Sequence, residues 1–122
     1  MNAKLSNDKT SYDLEERTLA FAKRSIRFSK EIVRTIPHVE ITKQFIRAVG
    51  SVGANYIEAN ESVSRREFAV KIATCKKEVK ESRYWLKLMD LTLDWECQER
   101  ESLIREATEL LKIFAAILLK SR

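Results

Sequence analysis

Turn-forming residues are almost missing from this sequence, which has one proline and two glycines in 122 residues. That scarcity disfavours hairpins and runs of short strands, since each reversal needs such residues. Long helices joined by few loops are left. No run reaches the about 18 apolar residues of a membrane span, and the opening MNAKLSNDKTSYDLEE has no apolar export segment. A cytoplasmic protein with no membrane contact is expected. The two cysteines, Cys75 and Cys97, match no zinc spacing and are expected to stay thiols. The single histidine, His38, cannot supply paired metal ligands, and the two Glu-x-x-His segments of a di-iron bundle are absent. Neither a phosphate-cradling glycine loop nor a nucleophile with an identifiable base is present. Glu58, Glu61, Glu78 and Glu81 could form carboxylate pairs, but exposed helix acids do so by chance. The expectation is a nonenzymatic protein with no cofactor, metal or small-molecule substrate.

What is there is helical periodicity. A chain that is 44% hydrophobic and 34% charged at this length suits one domain with its own core. Residues 1–12 are polar and unpatterned, and a mobile arm is expected there, with the folded domain running over 13–122. The first helix is predicted over Asp13–Thr35, with Asp13 as its cap, Glu16 completing a capping box, and Pro37 as its stop. It carries two adjacent stripes, one from Phe21 to Ile32 and one from Ala22 to Ile36, a face broad enough for burial against two neighbours. The second helix is predicted over Val39–Asn60. Ser64 and Glu67 form a capping box for the third, whose Phe68, Ile72, Cys75, Val79, Ser82, Leu86, Met89 and Leu93 alternate spacings of four and three. After a loop near Asp94–Gln98, the fourth helix repeats the rule from Leu103 to Ile117. The reading is an all-α, antiparallel up-and-down four-helix bundle.

Within the second helix, Gly50 and Gly53 each cost about 1 kcal/mol relative to alanine. With Ala54 they would let another backbone come close, either inside the bundle or across a subunit contact. Asn55 falls on the core stripe, where an unpaired amide costs about 1–3 kcal/mol. Glu78 or Glu81 of the third helix is its expected partner, in a contact that fixes register.

One position after the third helix's seam, Lys76, Lys80, Arg83 and Lys87 line a single stripe. Like charges at this spacing repel by a few tenths of a kcal/mol per pair. Solvation, acids on a neighbour, or a polyanion could offset the repulsion. A net charge of +5 keeps RNA or DNA backbone binding open, with Arg65 and Arg66 as helpers. No base-reading motif accompanies these cations.

The segment SVGANYIEANESVSRREFAVKIATCKKEVKESRYWLKLM, from Ser51 to Met89, resembles the 23S rRNA intervening-sequence proteins. Asn55, Glu58 and Ala59 match the close of that family's small-residue helix, and Phe68, Glu78, Glu81, Tyr84, Trp85 and Leu86 match the helix that follows. The resemblance implies a bundle assembling as a ring, a homopentamer, with no known enzymatic activity. An apolar surplus in the fourth helix, LLKIFAAILL from Leu110 to Leu119, independently predicts self-association. Two functions are therefore expected to compete: an oligomeric module binding RNA or DNA through the basic stripe, and a protein-interaction scaffold whose basic stripe meets acids across subunits.

Overall fold

The computed structural model describes residues 2–121, with side chains from Asp13 to Ser121. The arm expected over 1–12 lies outside the residues whose side chains are described. Four helices follow one another: α1 (Asn2–Glu31), α2 (Ile36–Asn60), α3 (Arg65–Leu88) and α4 (Asp94–Lys120). There is no strand among the described residues, and no helix is long and apolar enough to cross a membrane.

Side-chain pairings fix the topology. Arg47 reaches Glu81, Cys75 Sγ donates to the Val52 carbonyl, and Lys71 pairs with Glu58, so α3 descends as α2 rises. Arg17–Glu106 and Arg24–Glu99 set α4 antiparallel to α1, and Arg83–Thr108 sets it antiparallel to α3. The result is the up-down-up-down bundle. Its core is drawn from all four helices: Phe21 and Phe28, Phe45 and Val52, Ile72 and Val79, and Leu103 and Phe114 are all buried. The seam of α3 runs through its centre, with Ile72, Cys75, Val79, Ser82, Leu86 and Met89 buried. Leu93 is exposed because α3 stops at Leu88.

Three boundaries differ from the sequence reading. Asp13 lies inside α1, so it caps nothing. At the other end α1 stops at Glu31, and Thr35 caps α2 by accepting a hydrogen bond from the His38 N–H, with Pro37 in the first turn. Proline fits that turn because its missing N–H would be unpaired there anyway; Pro37 opens a helix rather than closing one. The loop expected over Asp94–Gln98 is the first turn of α4, where Glu96 Oε1 accepts from the Leu93 N–H. Only one stripe of α1 is fully buried; of the other, Ile26, Val33 and Ile36 are exposed.

The end of the bundle holding the α1–α2 and α3–α4 loops is stitched by three side chains. His38 Nε2 accepts from the Asp90 N–H at 3.1 Å, which leaves Nδ1 protonated and donating to the Val33 carbonyl at 2.9 Å. Buried Glu96 also accepts from the Val33 N–H, and Arg100 donates to the Met89 carbonyl at 2.6 Å. These bonds satisfy loop backbone groups that burial would otherwise leave unpaired. At the opposite end the closure is local: Ser64 accepts from Glu67 N–H, and Glu67 accepts from Val63 N–H.

Candidate nucleic-acid interface

The basic stripe of α3 faces the groove between α3 and α4. Its seam side is fixed by core burial, so residues one step further round the helix must flank the neighbouring helix. Ala73, Lys76, Lys77, Lys80, Glu81, Tyr84 and Leu118 line a groove of about 470 Å³ there. Lys77, which the sequence reading passed over, stands one heptad before Tyr84 and belongs to the same wall. Arg83, half-buried, donates to Thr108 Oγ1 at 3.2 Å, and Lys87 continues the stripe toward the stitched end.

One acid, Glu81, reaches this groove, and it is already paired. On the other flank of α3, Arg47 holds buried Glu78 at 3.4 Å and Glu81 at 3.1 Å. Glu58 takes Lys71 at 2.6 Å, a contact that raises the Lys71 pKa through its hydrogen bond. Glu106 and Glu99 take Arg17 and Arg24. Among the described residues Lys76, Lys77, Lys80 and Lys87 make no ion pair. Arg65 and Arg66 open α3, exposed, roughly 16 Å along the helix axis from Lys76 and Lys77 at 1.5 Å per residue. Ala69, Val70 and Ala73 intervene, and Arg65 faces a separate hollow with Phe68 and Lys120.

Asn55 departs from its expected role. Its Nδ2 donates to the Ser51 carbonyl at 2.8 Å and to Ser51 Oγ at 2.9 Å, so it bonds back onto its own helix and not to Glu78 or Glu81. A short amide side chain finds that i−4 acceptor without crossing any interface. The partner that Glu78 and Glu81 share is Arg47, one helical turn before Ser51.

A second groove runs between α1 and α2. A Cβ added at Gly53 would stand 3.1 Å from Thr18 Oγ1, so the helices approach closely there. The close approach expected at Gly50 and Ala54 is not found within the chain. A Cβ at Gly50 would meet nothing within 4 Å, and Ala54 is exposed. Both line a largely apolar groove of about 510 Å³ with Leu19, Ala22, Val49 and Ile57, which Glu15 and Glu16 of α1 also border. Ile46, one turn before Gly50, lines the adjoining hollow beside Val33 and Val39. Leu19 and Ile57 remain 54% and 51% exposed, unusual for branched aliphatics.

Sequence reasoning missed His38, Glu96 and Arg100, because each works on backbone groups of a distant loop, which leaves no periodic signal. Both cysteines are free thiols, and burial pushes the Cys75 thiol up to about 12, where it is inert.

Comparison with known proteins follows this geometry. The family model described as 23S rRNA-intervening sequence protein matches residues 13–116. A 1.70 Å crystal structure of a protein of unknown function from the S23 ribosomal protein family of Bacteroides thetaiotaomicron VPI-5482 superposes with a TM-score of 0.73. The two are 29% identical, and the match covers 85% of this chain and 96% of that one. No curated protein matches this chain.

Proposed function

Because this chain belongs to the 23S rRNA-intervening sequence protein family, we propose that it is a nonenzymatic, self-associating bundle that binds nucleic-acid backbone through the α3/α4 groove. One observation carries the binding: four lysines of α3 stand along one face without ion pairs, while cations on the α1/α4 and α2/α3 seams are paired. Phosphates would neutralise them and release counterions, a gain that depends on salt and not on base sequence. Self-association, into the ring of five that the resemblance implies, would use the α1/α2 groove against a second copy. That groove keeps its aliphatics in water for no reason internal to the bundle.

Binding of a mixed-sequence RNA should be measured from about 50 to 200 mM salt. Affinity is expected to fall steeply across that range. The Lys76→Glu/Lys80→Glu variant is expected to lose about a hundredfold at low salt and to flatten the slope, as removed phosphate contacts require. Absent or salt-insensitive binding overturns the reading and favours the scaffold alternative, in which these lysines meet acids of a neighbouring subunit. Partners that survive nuclease treatment would then be recovered.

A further inference from the structure

The α3/α4 groove contains one aromatic residue, which phosphate binding does not use. Tyr84 is 57% exposed, a large ring left in solvent on the wall of the groove. Its ring meets that of half-buried Trp85 edge-on, with centroids 5.1 Å apart at 72°, so its orientation is supported from below. Along α3 it follows Lys77 by seven residues and Lys80 by four, and precedes Lys87 by three. At 100° per residue, those spacings put cations on both sides of the ring along one face. Ala73 and Leu118 supply an apolar surface in the same groove, and its one carboxylate, Glu81, is held by Arg47.

We propose that this groove takes single-stranded nucleic acid in preference to duplex, with Tyr84 as the platform on which one base stacks. The proposal rests on the nucleic-acid reading above. Cations alone would hold any phosphate backbone. A held aromatic ring between them adds a contact that only an unstacked base can make, because bases within a duplex are already covered on both faces. Lys76 to Lys87 spans about 16 Å along α3, the axial length of roughly five nucleotides at 3.4 Å each, so a short strand laid along the helix would pass the ring. Stacking tolerates any base, which fits the absence of base-reading side chains.

Three probes test this with the full-length protein: a mixed-sequence single-stranded RNA, the same sequence as a duplex, and the single strand carrying abasic positions. The wild-type chain is expected to bind the single strand more tightly than the other two. Tyr84→Ala should weaken single-strand binding about tenfold while leaving duplex and abasic binding unchanged, and Tyr84→Phe should restore it. Alanine suits an exposed helix position, and a far-UV spectrum checks that the fold is kept. If Tyr84→Ala lowers all three probes alike, or none, while Lys76→Glu/Lys80→Glu still weakens binding, the stacking role falls and the backbone reading stands. If the lysine variant has no effect either, both fall together.

Discussion

The two grooves of this bundle are made alike, each between antiparallel helices, and are lined in opposite ways. Between α1 and α2 the wall is mostly aliphatic and small, with Leu19, Ile57, Gly50 and Ala54 open to water, and its charged lining residues are the acids Glu15 and Glu16, with no lysine. Between α3 and α4 lysines and a tyrosine stand with Ala73 and Leu118, and the one acid, Glu81, is taken up by Arg47. Hydration opposes burying the second surface against protein, since an ammonium taken out of water needs a charge partner, and favours burying the first. One bundle thus separates a surface suited to its own kind from a surface suited to an anion. Neither can exchange roles with the other by a small rearrangement.

That division can be broken from either side. The largest effect is expected from Leu19→Glu/Ile57→Glu, which puts carboxylates on the aliphatic wall. Sedimentation should show assembly replaced by monomer, with helicity intact because both side chains are already exposed. A monomeric wild type, or an unchanged mass in the variant, would remove the α1/α2 groove as the contact. Next comes the hollow adjoining that groove, which His38 lines. His38→Ala would orphan the Val33 carbonyl and the Asp90 N–H and should cost about 2–6 kcal/mol in chemical denaturation, at about 1–3 kcal/mol per unsatisfied group. A loss under about 1 kcal/mol would mean water replaces the ring readily.

The smallest effect separates the two glycines. Gly50→Ala should stabilise the monomeric Leu19→Glu/Ile57→Glu background by about 1 kcal/mol, since alanine favours helix and the added methyl touches nothing. Gly53→Ala meets Thr18 Oγ1, which is itself anchored to the Leu14 and Glu15 carbonyls at 2.7 and 3.1 Å. It should therefore fall at least about 1 kcal/mol below Gly50→Ala. Equal values would show that α1 yields freely at that crossing.

The sequence made some of this plain and hid the rest for identifiable reasons. The spacing of four and three in α3 predicts its burial because that helix packs on both α2 and α4, leaving a narrow polar margin. In α1 the second stripe looked the same on paper but is covered by nothing in the chain; periodicity records that a face is apolar, not what covers it. Gly50 was misplaced for the same reason. Asn55 sits at a core spacing, yet an amide that can bond its own helix needs no partner across the seam. Thr35 and Pro37 read equally well as an end or a beginning, and the choice depends on a cap hydrogen bond that composition does not encode. The lysine stripe was legible as a stripe. That the groove's one acid, Glu81, is held by Arg47 was not, because it follows from which flank of α3 meets α2.

His38 joins residues 33 and 90, far apart along the chain, through one ring. The two helical hairpins, α1 with α2 and α3 with α4, are joined through the chain only at the turn before Arg65, and the ring adds a tie at the opposite end. The tyrosine platform therefore sits on the half of α3 nearer that tie.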